Sequence, residues 1–598
     1  MAKIKKYLCL TFEPTLIITF LILLCKIFSL AIFFKLKLTK EILLINTGLL
    51  LLLLTPAYCF SSGLRKIYLY AINLFCTFLI ITDLLYFRYF GTPANLYVFM
   101  QSANLTDLGP SILKLMNRTD LLYFLDLVLL PFFFLFTAHR ITPSRRLCCC
   151  TLLLSLLLTT YYPLYNYSQG VEFRRFTAND TLYAFGPLGF HFMDTAYFIK
   201  DRNLQLTPKI KTEIQDWFTI KQQQEKHKET SPYQGLGNGK NLIVIQVESL
   251  QNFVIGKTIQ GQEITPHLNK LLKNSLYFPY FYPQTIAGNS SDAELIMNTS
   301  LYPLQQGSTF FVHPHNQYAS LPLLLKEKGY QTLAVHGDEA NFWNRHLAYP
   351  ALGFEQYISI EKMEETEMIG MGLSDEAMFK QSASLLQATA QPFYAFIITL
   401  TCHYPYYMPA DKAFLQLSAP LAQSHLGNYL QSVHYTDQAI GLFMEELKQT
   451  GLLENSLIAI YGDHDGLFKR DQTEIEKLFT HKTISEEEWI RNYVPVPLLI
   501  YQKDLPGKTI NTYGGQVDFL PTITHLMAID SSKHPYAMGQ NLLTTENDFA
   551  LIPSGDYITQ AVHVTLEKIE TTLGGFEQQT LKVADLIIKT NFCAQAKN

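Results

Sequence analysis

Five long apolar stretches before residue 166 place the strongest constraint on what this chain can fold into. They cover residues 15–34, 42–60, 67–87, 121–138 and 147–163. Each has about the length that a helix needs to cross ~30 Å of hydrocarbon, and their interiors contain few ionisable residues. This pattern fits a bundle of five membrane-spanning helices better than the buried helices of a soluble protein. Because the first stretch lacks a small-x-small cleavage site, we do not expect it to be a cleaved signal peptide.

The lysines and arginines of the short connections orient this bundle. With the N-terminus inside, the inner connections have a small excess of them, and Arg140, Arg145 and Arg146 are the clearest inner group. An odd number of spans then places everything after residue 165 outside. Acids at or near the ends of the spans are expected to have interfacial or packing roles, and these acids are Asp83, Asp120 and Asp126.

The composition changes between residues 164 and 239. Residues 164–205 are rich in aromatic side chains and are predicted to lie against the headgroups, and residues 207–228 are predicted to form a polar helix. Ser231-Pro232 and the glycines at 235–239 predict a loop. We therefore expect a five-helix transmembrane domain at 1–165, juxtamembrane helices and a linker at 166–238, and an extracytoplasmic domain at 239–598.

From residue 241 onward, short apolar runs alternate with longer amphipathic segments. The predicted strands are 241–248, 331–336, 393–400, 457–462 and 496–502. The predicted helices are 265–274, 290–299, 319–328, 374–389, 425–449 and 516–527. This alternation predicts an α/β domain with a mostly parallel sheet sandwiched by helices. Ligands bind such sheets beyond the carboxyl ends of the strands, so polar residues at those ends are the first candidates for a site.

Acids and histidines follow four of the predicted strands. These residues are Glu248, His336, His403 and the pair Asp463-His464. A solvated loop explains any one of them, but four together predict a shared cleft. Asp463 and His464 directly follow a buried strand and offer a carboxylate and an imidazole, which suit Zn, Mn or Mg. Glu248 would add a second carboxylate.

A serine pair precedes an apolar helical run in the segment Gly288-Asn289-Ser290-Ser291-Asp292. The pattern is typical of a helix cap. A hydroxyl at a helix N-terminus also lies beside amide donors and the positive end of the helix dipole, which stabilise a phosphoryl oxyanion. A metal ion in contact with that hydroxyl would make it a nucleophile at neutral pH.

Together these motifs resemble the lipoteichoic acid synthase family, which belongs to the alkaline phosphatase and sulfatase superfamily. The matching segments, in chain order, are Val247-Glu248-Ser249, Gly288-Asn289-Ser290-Ser291-Asp292, His336-Gly337, Phe342-Trp343-Asn344-Arg345, His403-Tyr404-Pro405, Tyr461-Gly462-Asp463-His464 and residues 514–522. The five apolar stretches match as well, so the resemblance covers nearly the whole chain.

The resemblance implies a role for each matching residue. One divalent cation, Mn²⁺ by preference with Mg²⁺ as the alternative, would be bound by Glu248, Ser290, Asp463 and His464. Ser290 would be the catalytic nucleophile. The family usually has threonine at that position, within Gly-Lys-Thr-Ser-Asp, and Ser291 is the rival nucleophile. The phosphate and the glycerol would be held by His336, Trp343, Arg345 and His403.

The implied reaction moves glycerophosphate from phosphatidylglycerol to a glycolipid or a growing polyglycerolphosphate chain through a covalent phospho-serine intermediate. Within the same superfamily, two alternatives stay open. One is a phosphoethanolamine transferase, and the other is a phosphoglycerol transferase that acts on periplasmic glucans.

Other classes fit the residues less well. A sulfatase needs a proline and an arginine shortly after its nucleophile, and residues 288–294 contain neither. A two-metal phosphatase needs a further Asp-x-x-x-His pair, but Asp437 is followed four residues later by Gly441. A non-catalytic membrane sensor would not require the intact set of metal ligands. The net charge of −4 provides no basic surface for nucleic acid.

Overall fold

The computed structural model describes residues 14–98, 100, 115–137, 145–168, 178–225, 231–553, 557–561, 563–564 and 576–595. The chain forms two compact units that divide between Asn203 and Leu204. The predicted domain boundaries at residues 165 and 238 stay predictions.

The first unit is helical. Its α-helices are α1 (Pro14–Phe33), α2 (Lys40–Leu54), α3 (Ser62–Phe90), α4 (Leu125–Phe136), α5 (Arg145–Ser168) and α6 (Ala178–Arg202). Five stretches of the described residues are long and apolar enough to cross a membrane, namely Pro14–Phe33, Lys40–Cys59, Ser62–Arg88, Arg118–Phe136 and Arg145–Tyr165. They match the five predicted spans. Of the arginines that orient the bundle, Arg140 lies outside the described residues.

The acids near the span ends are all paired. Oδ2 of Asp83 lies 2.8 Å from Nε2 of His191, Oδ2 of Asp120 lies 2.6 Å from Nη1 of Arg88, and Oδ1 of Asp126 lies 2.6 Å from the Lys26 ammonium. A charge close to hydrocarbon is costly unless a partner neutralises it. These contacts join different helices of the unit, as the expected packing role requires.

Helix α6 is broken at Gly186, whose φ of 72° is left-handed. Asn46 of α2 bridges the break, because its amide donates to the carbonyl of Phe185 at 2.8 Å and its oxygen accepts from the amide of Leu188 at 2.8 Å. A Cβ at residue 186 would lie 2.3 Å from the Asn46 amide nitrogen. Glycine is therefore required both by the backbone conformation and by this close approach.

The second unit is built on a nine-stranded sheet. Its strands are β1 (Asn241–Val247), β2 (Ser275–Tyr282), β3 (Gln331–His336), β4 (Gln356–Ile358), β5 (Phe393–Ile398), β6 (Ser456–Gly462), β7 (Val496–Tyr501), β8 (Lys508–Thr509) and β9 (Gly514–Gly515). The order across the sheet is β8-β2-β7-β6-β1-β5-β3-β4, with β9 also beside β2. Only β7 runs antiparallel to its neighbours, so the predicted mostly parallel sheet is confirmed.

The prediction missed β2, β4 and the two-residue strands β8 and β9. Strand β2 includes Pro279, a residue that argues against a strand inside a sheet because it has no amide hydrogen to donate. Shorter ladders pair Thr258–Ile259 with Gln262–Glu263, Met368–Ile369 with Gly372–Leu373, and join Ala550–Leu551, Tyr557–Ile558 and His563–Val564.

Helices cover both faces of the sheet. The α-helices of this unit are α7 (Pro208–Gln224), α8 (Pro266–Leu271), α9 (Ser290–Thr299), α10 (Thr309–Val312), α11 (Leu321–Glu327), α12 (Arg345–Leu352), α13 (Asp375–Ala388), α14 (Ala419–Ala422), α15 (His425–Gln449), α16 (Gln472–Ile475), α17 (Glu486–Asn492), α18 (Phe519–Leu526), α19 (Phe576–Lys589) and α20 (Phe592–Gln595). Along β1, Leu242 and Val244 pack into one hydrophobic core, whereas Ile243 and Ile245 pack into the other. A central strand buried on both faces explains the uninterrupted apolar run.

Helix α7 is the first helix of the second unit after the division at residue 203, and it packs into that unit's core. Its buried face consists of Ile214, Trp217 and Phe218, which belong to one of the two sheet-facing cores. The helix begins after Thr207, whose hydroxyl accepts from the amide of Ile210. Of the predicted helix at 207–228, residues 226–228 lie outside the described residues. The predicted loop then lies along α18, with the amide of Gly235 donating to the carbonyl of His525 at 3.0 Å.

Candidate active site

Acidic and imidazole groups converge where β1 and β6 end. Glu248 directly follows β1, and Asp463 and His464 directly follow β6, which is paired with β1 in parallel. One ligand atom from each of these three residues lies within 4.8 Å of the other two. The Nε2 atom of His464 is 3.4 Å from Oε1 of Glu248 and 3.6 Å from Oδ2 of Asp463. The structure therefore brings these three predicted ligands together.

Ser290, the first residue of α9, completes this cluster. Its hydroxyl donates to Oε2 of Glu248 at 3.1 Å and lies 3.4 Å from Nε2 of His464. His464 directs its other ring nitrogen, Nδ1, at the carbonyl of Asp465, 3.0 Å away. Nδ1 thus carries the proton of the neutral ring, and Nε2 keeps a lone pair directed at the cluster. Two carboxylates, one imidazole nitrogen and one hydroxyl fit a divalent metal ion.

The electrostatics of the cluster also favour a cation. Burial and the adjacent Glu248 raise the pKa of Asp463 to about 7. Burial acts to lower the pKa of His464, but Asp463 and Glu248 outweigh it and raise that pKa to about 9. Negative charge that little solvent screens contributes to both shifts. A bound cation would neutralise that charge.

The turn before Ser290 has an unusual backbone. Asn289 has φ 41° and ψ −114°, a conformation that L-residues rarely adopt. The carboxylate of Asp292 stabilises the turn by accepting from the amides of Ile286 at 2.9 Å and Gly288 at 2.8 Å. A Cβ at Gly288 would lie 2.2 Å from Oδ1 of Asp292. Because Gly288 has no side chain, the Asp292 carboxylate can lie under the turn. The turn in this conformation directs the Ser290 hydroxyl at the cluster.

Ser291, the rival nucleophile, is engaged elsewhere. Its hydroxyl donates to the carbonyl of Gly288 at 2.8 Å and lies 3.0 Å from the hydroxyl of Ser308. The side chain is buried, and none of its hydrogen bonds reaches the Glu248, Asp463 and His464 cluster. This geometry favours Ser290 over Ser291 as the nucleophile.

Two further histidines lie near the ends of strands, since His336 is the last residue of β3 and His403 follows β5 by five residues. Nδ1 of His336 lies 3.0 Å from the carbonyl of Ile398, and Nδ1 of His403 lies 2.8 Å from the carbonyl of Tyr404. The buried Nε2 of His336 has no hydrogen-bond partner, so it is available to a ligand. Burial lowers the pKa of His403 to about 4 and the pKa of His336 well below its usual value. Both rings are neutral at pH 7 in the ligand-free site.

Arg345 forms a buried ion pair that the sequence analysis did not predict. Its Nη2 lies 2.6 Å from Oε1 of Glu294, and its Nε lies 3.0 Å from the same oxygen. The hydroxyl of Tyr349 donates to Oε2 of Glu294 at 2.7 Å. Two of its three nitrogens thus bind Glu294, and the third, Nη1, lies 3.5 Å from the carbonyl of Phe342. Glu294 lies one helical turn after Ser290 on α9, so the pair connects the nucleophile's helix to α12.

Trp343 has a left-handed backbone, with φ 54°. Its ring lies 6.1 Å from that of Phe311 and 6.0 Å from that of Phe342, centroid to centroid. The side chain is only half-buried. These contacts place the half-buried indole in an aromatic cluster.

The acid examined for a second metal ion has a structural role. Asp437 accepts from the backbone amides of His267 at 2.9 Å and Leu268 at 2.8 Å, and thereby stabilises the first turn of α8. At Gly441, one turn later, a Cβ would lie 2.0 Å from Nδ1 of His267. The Asp437 carboxylate is thus used by the fold.

Comparisons with known proteins agree with this architecture. The family described as the lipoteichoic acid synthase N-terminal domain matches residues 1–205, and the sulfatase family matches residues 240–529. Lipoteichoic acid synthase 1 of Bacillus subtilis (strain 168) is 31% identical over 498 residues, which are 82% of this chain and 77% of the relative. Lipoteichoic acid synthase 2 of the same strain is 32% identical over 517 residues, 84% of this chain and 78% of the relative.

A solved structure is also similar. The crystal structure of the lipoteichoic acid synthase LtaP from Listeria monocytogenes aligns with a TM-score of 0.56 at 27% identity and covers 63% of this chain and 98% of that one. The predicted fold, with apolar spans followed by a sulfatase-like α/β domain, is confirmed. On this identity and coverage, the chain belongs to the lipoteichoic acid synthase family.

Proposed function

We propose that this protein is a membrane-anchored phosphoglycerol transferase that uses one divalent cation and a covalent phospho-serine intermediate. The observation that supports this most directly is the approach of the Ser290 hydroxyl to within 3.1 Å of Glu248 and 3.4 Å of His464, beside Asp463. The relatives named as lipoteichoic acid synthases support the same chemistry.

The cation would be held by Glu248, Ser290, Asp463 and His464. Mn²⁺ is the preferred candidate because the ligands mix carboxylates with an imidazole, and Mg²⁺ is the alternative. When bound, such an ion stabilises the deprotonated hydroxyl and the negative charge on phosphate oxygens. At the start of α9, the helix dipole also favours negative charge beside Ser290.

In the first step, Ser290 Oγ attacks the phosphorus of phosphatidylglycerol. The new bond between Oγ and phosphorus forms as the bond to diacylglycerol breaks, and diacylglycerol leaves with the proton that the Ser290 hydroxyl gives up. Glycerophosphate is now attached to Ser290. Apolar spans suit a lipid donor, because anchoring raises the local concentration of substrate at the catalytic unit.

In the second step, a terminal hydroxyl of a glycolipid or a polyglycerolphosphate chain attacks the same phosphorus. The bond to Ser290 breaks, and its oxygen takes back a proton that the acceptor gives up. His403 suits this transfer, because its Nδ1 donates to the Tyr404 carbonyl and its neutral Nε2 is therefore a proton acceptor. His336 Nε2 and Arg345 Nη1 would orient the phosphate, and Trp343 would contact the glycerol carbons.

The covalent step is tested by replacing Ser290. Ser290→Ala should abolish transfer from phosphatidylglycerol labelled in its headgroup glycerol, whereas Ser290→Thr, which keeps a hydroxyl, should retain measurable transfer. Mass spectrometry of wild-type protein quenched during turnover should find glycerophosphate on Ser290. Transfer by Ser290→Ala at the wild-type rate, with the label absent from the protein, would contradict the covalent mechanism.

The donor is tested with two lipids. The full chain in detergent is incubated with phosphatidylglycerol or phosphatidylethanolamine and either Mn²⁺ or Mg²⁺. The products are identified by mass spectrometry. We expect diacylglycerol from phosphatidylglycerol only. Release of diacylglycerol from phosphatidylethanolamine instead would identify a phosphoethanolamine transferase. Transfer of glycerophosphate to a soluble glucan would identify a phosphoglycerol transferase that acts on glucans.

A further inference from the structure

Gln246 is a polar residue in the middle of the fold. It lies in β1, where all seven residues are buried, and its own side chain is fully buried. Its neighbours on the strand are apolar, and a lone polar group there is costly unless every donor and acceptor finds a partner. Its position, two residues before Glu248, places it directly beneath the cluster at the end of the sheet.

The amide of Gln246 contacts both halves of that cluster. Nε2 donates to the backbone carbonyl of Ser290 at 3.2 Å and lies 3.4 Å from Oδ2 of Asp463. The carbonyl oxygen of the same amide accepts from the hydroxyl of Tyr461 on the neighbouring strand β6. Because the Ser290 carbonyl can only accept a hydrogen bond, the end of the amide that faces it is the nitrogen, and the end that faces Tyr461 is the oxygen. Both N–H groups of Gln246 are therefore directed at Ser290 and Asp463.

Backbone amides hold the other carboxylate oxygen of Asp463, and a second buried glutamine holds its backbone carbonyl. Its Oδ1 accepts from the amides of Ser249 at 2.7 Å and His464 at 2.8 Å. Its backbone carbonyl accepts from Gln516 Nε2 at 2.6 Å. Gln246 thus donates to Oδ2, the carboxylate oxygen that lies 3.6 Å from Nε2 of His464.

We propose that Gln246 is a positioning residue that couples the nucleophile to the metal site. Its amide fixes the distance between the start of α9 and the Asp463 carboxylate. The Ser290 hydroxyl and Oδ2 of Asp463 therefore face the same point. A neutral donor suits this position, because it orients the carboxylate without competing with a cation for its negative charge. Residues that orient metal ligands in this way typically change metal affinity or activity by about 10–100-fold when replaced.

This inference rests on the proposed metal-dependent transfer, and the test separates the two. Gln246→Glu keeps the size of the side chain, removes both donors and adds a negative charge beside Asp463. Gln246→Met keeps the length and removes all hydrogen bonding. Tyr461→Phe removes only the hydroxyl that orients the amide. We expect Mn²⁺ affinity, measured by calorimetry on the full chain, to fall by about 10–100-fold in Gln246→Glu and Gln246→Met and by a smaller factor in Tyr461→Phe.

Gln251→Met is the matched control. Gln251 is also a buried glutamine near the end of β1, but it bonds to the backbone of Leu467 and Tyr493 rather than to the cluster. It should lower the melting temperature as Gln246→Met does, while Mn²⁺ affinity and kcat at saturating Mn²⁺ stay within twofold of wild type. In the Gln246 variants, kcat should fall more than KM for the lipid changes, because the substrate pocket is intact and the nucleophile is displaced.

The outcomes are distinct. If wild-type protein binds no divalent cation and transfers no glycerophosphate, the proposed function fails. If wild-type protein does both, and Gln246→Met equals Gln251→Met in Mn²⁺ affinity and in kcat, Gln246 is only a core residue and this inference is wrong.

Discussion

Replacing Glu294 with glutamine tests the buried ion pair that connects α9, which begins at Ser290, to Arg345 at the start of α12. The side chains of Glu294 and Arg345 are 0% and 1% exposed, so solvent screens neither charge. Glutamine has nearly the same volume as glutamate, and the change leaves the Arg345 guanidinium buried without a counter-charge. Breaking a buried pair by removing one partner costs about 3–5 kcal/mol. We expect Glu294→Gln to lower the free energy of unfolding of the second unit by that amount.

The assay is urea unfolding of the full chain in detergent, followed by tryptophan fluorescence. All three tryptophans of the chain, Trp217, Trp343 and Trp489, lie in the second unit, so their fluorescence reports its unfolding and not that of the membrane helices. The variants are Glu294→Gln, Arg345→Met and the double replacement. The double variant buries no unpaired charge. Its loss in free energy of unfolding should therefore be smaller than the sum of the two single losses by at least ~2 kcal/mol, within the ~0.5–3 kcal/mol that coupled pairs show. Losses that add within 0.5 kcal/mol, or a Glu294→Gln loss below 1 kcal/mol, would refute the reasoning.

Three further results are expected. Ser291→Ala should retain more than half of the wild-type transfer rate, because its hydroxyl bonds to Gly288 and Ser308 and not to the cluster, and a rate as low as that of Ser290→Ala would reverse the assignment. Gly288→Ala should reduce transfer by about tenfold or more with little loss of unfolding free energy, because a Cβ 2.2 Å from the Asp292 carboxylate displaces the turn, and an unchanged rate would show that the turn adapts. Burial raises the pKa of Asp437 to about 7, so the folded protein retains a proton that the unfolded chain loses near pH 4, and the contribution of Asp437 to stability should decline as the pH rises from 4 to 7. As the pH rises from 4 to 7, the free energy of unfolding of wild type should therefore fall relative to that of Asp437→Asn, by at most about 1.4 kcal/mol per pH unit. A constant difference between the two proteins across that range would exclude an elevated pKa.

Much of the fold follows from local patterns. Apolar runs predicted the spans and the central strands, because burial on all sides or on both faces leaves no polar period in the sequence. Strand β2 was missed because Pro279 disfavours a ladder and because its partners, β7 and β9, follow it by more than 200 residues. Its place in the sheet depends on those distant pairings.

The metal cluster was also predictable in part. Glu248, Asp463 and His464 could be found because each directly follows an apolar strand, and parallel strands end at one edge. Glu294 and Gln246 could not be assigned in the same way. Their partners, Arg345 and Asp463, lie 51 and 217 residues further along the chain, and only the folded backbone brings them together. The one available signal for Gln246 was that it is a polar residue between apolar neighbours of a buried strand.

The docking of helix α7 bears on what an extracellular protease would achieve by cutting the chain between residues 225 and 231. Ile214, Trp217 and Phe218 would remain buried in the sheet-facing core, and burial of each such side chain is worth about 1.5–3 kcal/mol. The covalent link would be lost, yet the packing of α7 into the core would still hold the two pieces together. Severed chains would therefore persist at the cell surface as two-piece molecules, and shedding into the medium would require a cut N-terminal to Ile214.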